Sequence, residues 1–410
     1  MERSINNLIN PYFIYVLSFL AVLIAYLFGW SNLFPNLGGS LLIFLLCSII
    51  IALFMGREVA KRKIITFNRL FYKDKLVWVT IAILVGYVIE FIYHGNFPLL
   101  AIITNIPLSY HEFGIPTFHV ILVTFNSFFS IVLFQVLLSE EKKRKGKLIL
   151  LLVLNLLPSV LIMNRGMLVI ILMSCVFVYL IRYQDKITMK KVAGLLGLFL
   201  IALYLFGVVG NVRVNNSYQT DTSLFDNSLF LQLGGASEEF RESFIPKEYF
   251  WPYIYLTSPM ANLQETLNNF EHNEDVTTYN TFSFVVTQIF PDFVSKRIAA
   301  MLSISVPNVL QIAPEFNVGT AFAESFVILG WVGISLFVLF LFVFALFYIL
   351  FLKSINSKYF VAGVAIINSI FVFNAFTNMF AFTGLSFQLV YPILFTIWDT
   401  FRNKKEGRCE

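Results

Sequence analysis

Residues 192–228 read VAGLLGLFLIALYLFGVVGNVRVNNSYQTDTSLFDNS, and the character of the chain changes inside them. The first half is an uninterrupted apolar run of membrane-spanning length. The second half, from Gly210, opens about 110 residues of polar and aromatic sequence that ends near Thr320. Apolar segments of similar length lie on both sides of that stretch. A chain that builds so many spans and interrupts them once, at length, places its chemistry at the interruption.

Composition agrees with this reading. Hydrophobic residues make up 58% of the 410 and charged residues 13%, and mean hydropathy is +0.78. Soluble domains average about 45–50% apolar and about 25% charged, so the chain is expected to be an all-α polytopic membrane protein. Apolar windows fall near 12–30, 38–56, 76–93, 117–138, 148–164, 166–182, 191–209, 325–352, 359–380 and 384–401, about ten spans in all. The fifth and sixth are short and meet at Asn164-Arg165-Gly166. The eighth is long enough to require tilt or extension beyond the hydrocarbon. The first lacks a small-residue cleavage site and is read as a retained span. FSFVVTQIF (282–290) and IAAMLSISVPNVL (298–310) are too short to span and suit re-entrant or interfacial helices. The chain thus divides into 1–209 with about seven spans, an outer segment at 210–324, and 325–410 with about three spans and a basic tail.

Lysine and arginine orient the spans, because they gather on the cytoplasmic side. With ten spans, 23 of the 29 basic residues fall on one side, which also holds both termini. The other side, with the long segment, holds Arg165, Arg213, Arg241, Lys247, Lys296 and Arg297. Most outer charges need no explanation beyond solvation of a loop. Arg165 is different, since a tight turn between short spans would bury it at a cost without a partner. Arg213 follows a span, where an arginine either snorkels to lipid phosphate or grips an anionic substrate group in bidentate fashion.

Several chemistries leave no trace in the sequence. There is no phosphate-binding Gly-rich loop, dinucleotide fingerprint, nucleophile elbow or His-Glu-x-x-His. His94, His111, His119 and His272 lack metal-ligand spacing, and no Asp-x-Asp lies on the outer side. His111 beside Glu112 is a weak sign of acid–base chemistry. The three cysteines, Cys47, Cys175 and Cys409, avoid the polar segment, so no disulfide is expected there. Neither a metal nor another cofactor is called for, nor is a nucleic-acid partner. The driving energy of any reaction must then come from the substrate.

Read in order, GYVIEFIYHGNFPLL (86–100), SYHEFGIPTFHVILVTFNSFF (109–129), MNRGMLVIIL (163–172), GVVGNVRVNN (207–216), YIYLTSPMANLQE (253–265) and AFAESFVILGWVGISLF (321–337) form a succession. With the topology, it resembles the bacterial O-antigen and capsule repeat-unit polymerases, the Wzy family. The resemblance covers nearly the whole chain and rests on the order of short motifs. It implies a fold similar to the lipid-dependent, GT-C-like glycosyltransferases. It also implies a metal-independent transfer, at the outer face of the bacterial plasma membrane, of a glycan carried on undecaprenyl diphosphate. The acceptor would be the non-reducing end of a lipid-linked repeat unit, with membrane lipids and a chain-length regulator as partners. Arg165 and Arg213 would bind the diphosphate, with Arg241 and Arg297 as second-diphosphate or loop-stabilising residues. Glu324 is the first choice to orient or deprotonate the acceptor hydroxyl, with Glu112 and His111 behind it. Trp251, Tyr253 and Tyr255 could stack on sugars or anchor at the interface, as could Trp331. An O-antigen ligase would share the chemistry and differ in its acceptor. A polysaccharide flippase would be expected to show internal repeats and charges deep in its spans.

Overall fold

Asn10 begins the first helix by accepting a hydrogen bond from the Phe13 amide (3.1 Å) ahead of Pro11, a pairing suited to a helix start. The computed structural model describes residues 8–104, 113–186, 188–217, 226–270, 277–305 and 308–406. Ten helices carry the apolar windows: α1 (Pro11–Tyr26), α2 (Gly39–Lys61), α3 (Lys75–His94), α5 (Phe118–Ser139), α6 (Lys142–Leu161), α7 (Arg165–Tyr183), α8 (Met189–Ser217), α14 (Ala323–Ser354), α15 (Phe360–Phe373) and α17 (Val390–Glu406). Shorter helices join them: α4 (Pro98–Ile103), α9 (Ser228–Leu233), α10 (Glu238–Glu242), α12 (Thr278–Phe284), α13 (Asp292–Leu302) and α16 (Thr383–Ser386). The longer α11 (Phe250–Asn269) lies in the polar segment. Among the described residues there is no strand, only a bridge between Ser31 and Ala236.

Six helices, α2, α3, α5, α7, α8 and α14, are long and apolar enough to cross a membrane. The chain therefore has the make-up of an α-helical multi-pass membrane protein. α1 and α15 are apolar but shorter, 16 and 14 residues. At about 1.5 Å per residue they reach less than the roughly 30 Å of a hydrocarbon layer. α15 lies in the heart of the bundle, against α1, α5, α7 and α14, with all but two of its residues buried. α5 is likewise central, 72% of its apolar window being buried, whereas α8 lies outermost at 11%. Buried tyrosines bond across the bundle. Tyr12 donates to the Phe342 carbonyl (2.8 Å), Tyr15 to Ser48 Oγ (2.8 Å) and Tyr348 to the Leu389 carbonyl (2.9 Å). Left unpaired, each hydroxyl would cost about 1–3 kcal/mol.

The seventh and eighth windows also differ from the helices expected of them. The eighth window is not one long tilted helix. α14 breaks at Leu329 (φ −134°, ψ 15°) and Gly330 (φ 58°, ψ −143°), a conformation only glycine takes easily. A short arm, Ala323–Leu329, folds back so closely that a Cβ on Gly333 would lie 2.1 Å from the Ser325 carbonyl oxygen. The seventh window, expected to end at 209, continues as helix to Ser217. α8 is held there by two glycines. A Cβ on Gly207 would stand 2.1 Å from the Glu248 carbonyl oxygen, and one on Gly210 would stand 2.5 Å from the Trp251 ring.

The polar segment is largely helical. α11 packs on α1, α8 and α14, and α12 continues through a π-helical turn, Val285–Ile289, against α14. Phe230, Phe240, Phe250, Trp251 and Tyr253 form a second apolar cluster with Trp30. Amide hydrogen bonds from Asn32 to the Gly235 carbonyl (2.8 Å) and from Ser237 to the Trp30 carbonyl (2.8 Å) tie it to the α1–α2 turn.

Candidate functional site

The loop before α14 owes its shape to one buried asparagine. Asn262, on α11, donates to the carbonyls of Phe316 and Val318 and accepts from the Ile312 amide (2.9 Å). Thr266, one turn on, accepts from the Leu310 amide (3.2 Å). Residues 308–320 are thereby pinned to α11, with Val309 and Ile312 packed on the core, and two cavities open beside them. The larger, about 690 Å³, is lined by this loop together with Ala323, Glu324, Thr377 and Asn378. The smaller, about 200 Å³, lies between the loop, α11 and the end of α8, with Arg213, Trp251 and Tyr255 in its wall. Asn317 and Val318 line both.

Glu324 comes to the larger cavity on the folded-back arm of α14. It is exposed, and it accepts a hydrogen bond from Gln288 Nε2 (3.1 Å). Gln288 is fully buried in the π-helical turn, a kind of distortion that recurs at functional sites. Its Oε1 and its carbonyl both accept from Asn378 Nδ2 (3.2 and 2.9 Å), and Asn378 Oδ1 accepts from the amides of Phe380 and Ala381. A relay of amides therefore fixes one side of the carboxylate and leaves the other toward the cavity.

Arg213 projects from the last turns of α8. Its Nη2 donates to Tyr255 Oη (3.1 Å), and its guanidinium stands 5.5 Å from the Trp251 ring centre. Trp251 is buried, stacked on Phe230 at 3.6 Å, and donates through Nε1 to Asn211 Oδ1 (2.6 Å). Asn211 also bonds Asn227, whose amide reaches Glu248 (3.3 Å). The guanidinium thus sits on a rigid aromatic floor. Glu315 lines the same cavity, so its charge is not purely positive.

The remaining candidates separate. Arg165 is the exposed first residue of α7, behind the Asn164 cap, and lines neither cavity. Arg241 donates to the carbonyls of Ala236 (3.0 Å) and Leu231 (3.1 Å), which makes it a brace for its own loop. Arg297 donates to Thr117 Oγ1 (2.8 Å) over the Phe293 ring (4.3 Å), also outside both cavities. Tyr253 is buried and its hydroxyl accepts from the Trp30 amide (3.1 Å); burial pushes that hydroxyl up to about 12. With Trp251 stacked on Phe230 and Tyr253 buried, neither ring offers a free face, and Tyr255 is the exposed one of the three. Trp331 follows the α14 break and packs on Phe326. His111 and Glu112 lie outside the described residues.

Sequence reading passed over the amides Asn262, Gln288, Asn317 and Asn378, whose only signal is polarity inside or beside apolar runs. It also passed over a pair that the fold builds at the end of α3. Glu90 is fully buried, 2.9 Å from His119 Nδ1, and accepts from the Ile115 amide (3.2 Å). A buried carboxylate without such donors would cost several kcal/mol, so a lone glutamate in an apolar window was the available clue. His94 Nε2 accepts from the Gly114 amide (2.9 Å) beside it. Among the described residues, no three His, Cys, Asp or Glu side chains gather closely enough to hold a metal ion. No family model matches the chain, and no curated protein or solved structure matches it either.

Proposed function

We propose that this chain is a glycan polymerase that works on lipid diphosphate substrates at the outer face of a bacterial plasma membrane. The observation that carries this reading is the adjacency of two unlike cavities across Asn317 and Val318. One holds a guanidinium on an aromatic floor, the other an accessible carboxylate. In the proposed step an acceptor hydroxyl gives its proton to Glu324, and its oxygen bonds the anomeric carbon of the donor glycan. The bond from that carbon to the diphosphate oxygen breaks, and its electron pair leaves with undecaprenyl diphosphate. Arg213 stabilises the charge that grows on the departing oxygens. The leaving group supplies the energy, so no nucleotide enters. Purified protein in nanodiscs, given undecaprenyl-diphosphate-linked repeat units alone and EDTA, is expected to build a ladder of polymer. Transfer only to an unrelated acceptor would replace this reading with a ligase. Movement of the lipid-linked glycan across vesicles without any ladder would replace it with a flippase.

Ten spans with both termini in the cytoplasm belong to the same proposal, supported by the distribution of 23 of the 29 basic residues on one side. In a variant lacking the three native cysteines, a cysteine at Ser243 should react with an impermeant maleimide in intact cells, and one at Lys405 should not. The opposite labelling would turn the cavities toward the cytoplasm and end the argument.

A further inference from the structure

We propose that the larger cavity is a subsite for an uncharged, hydroxyl-rich sugar ring and rejects sugars that carry a carboxylate. This rests on the glycan-polymerase reading above and assigns the cavity to the acceptor's terminal sugar. Its volume of about 690 Å³ falls in the range of small-molecule sites, about 300–1,000 Å³. The chemistry of its wall is narrow. Among its described lining residues there is no lysine, arginine, histidine or aromatic ring, and Glu324 is the one charge. An aromatic platform is therefore not how this wall would hold a sugar, and no cation would meet an acid group.

The wall is instead rich in side-chain amides. Asn308, Gln311 and Asn317 are exposed on the cavity side of the loop, and none makes a side-chain hydrogen bond within the described residues. Thr377 is similarly free on the opposite wall. Each amide offers paired donors and an acceptor, which matches a sugar hydroxyl that both gives and takes a hydrogen bond. Asn378, by contrast, has both side-chain atoms committed to Gln288 and to backbone amides, so it shapes the wall and leaves recognition to the loop. These amides stand on a backbone pinned by Asn262, which fixes their positions before a ligand arrives. A uronic acid placed here would bring a second negative charge beside Glu324 with nothing to offset it. Repulsion between two like charges within one cavity of this size weakens binding on the order of tenfold or more, even with a protein-like effective dielectric.

Saturation-transfer NMR on the protein in nanodiscs reads this without any turnover. Methyl N-acetylglucosaminide is the neutral probe and methyl glucuronide the charged one. The neutral glycoside is expected to bind at millimolar concentration, with the glucuronide at least about tenfold weaker. Glu324→Gln should bring the two within about threefold, and the combined Asn308→Ala, Gln311→Ala and Asn317→Ala variant should weaken the neutral probe by about tenfold or more. Equal binding of both probes to the wild-type protein, or binding of neither, would overturn the assignment. So would undiminished neutral binding by the triple variant. Failure of the wider reading has a different signature: a protein with this binding profile that makes no polymer keeps the subsite and loses the polymerase. A protein that extends repeats ending in a uronic acid as fast as neutral ones keeps the polymerase and loses the subsite.

Discussion

Arg213→Ala is expected to stop chain extension, with product falling by about 10²–10³-fold or more while the protein stays inserted and abundant. The side chain stands over Trp251 and against Tyr255, both of which keep other partners. Removing it therefore empties the cavity wall of its cation without unseating the aromatic floor. Arginine is suited to the task because its planar fork meets two diphosphate oxygens at once and stacks on an indole face. Lysine at 213 should rescue poorly, since an ammonium supplies a point charge with neither property. Arg165→Ala is the informative comparison, because that residue lines neither cavity. Polymer length on a gel and lipid-linked intermediate by mass spectrometry would separate the outcomes. Full activity of the Arg213 variant would remove the diphosphate role. A loss confined to the Arg165 variant would move the leaving group to the start of α7.

Most of the bundle was legible from hydropathy alone, because a helix that meets lipid must be apolar over a length the bilayer dictates. Each of the ten apolar windows holds a helix, although the ninth is helical only over Phe360–Phe373 and the tenth begins on the short α16. Hydropathy is blind to backbone angles, however, so the break at Leu329–Gly330 was hidden in a run that reads as one segment. That break matters most for the site, since it turns the arm bearing Glu324 back over Gly333. Polarity misled at the end of α8, where Asn211 and Asn215 look like loop residues. There they bond Asn227 and the Asp226 carbonyl, and these tertiary partners hold the helix to Ser217. The arginines show the same limit. Arg213 and Arg241 are alike in sequence, and only their surroundings distinguish them: Arg241 faces two loop carbonyls, whereas Arg213 lines a cavity beside Tyr255. Among the amides, Gln288 and Asn378 could not be ranked without knowing that they face each other across 90 residues of chain.

Glu324→Gln makes the sharpest test of the chemistry. If the carboxylate takes or orients the acceptor proton, the amide should lower the rate of polymer formation by about 10²–10⁴-fold, the usual contribution of general acid–base catalysis. The replacement is nearly isosteric, and its side-chain oxygen can still accept from Gln288 Nε2, as the carboxylate does at 3.1 Å. The fold is thus expected to survive the change, and a thermal melt alongside checks it. Lipid binding should hardly change, because Arg213 is untouched. A small residual rate is expected, since on this proposal the guanidinium would still stabilise the departing diphosphate. The competing account is that Glu324 only places a negative charge in the first turn of α14, where a carboxylate contributes about 0.3–1 kcal/mol to the helix. On that account the glutamine variant melts slightly earlier and polymerises almost normally. Such a result would pass the role of base to Glu112 or His111, and would leave the larger cavity as a place where the acceptor is held and not where it reacts.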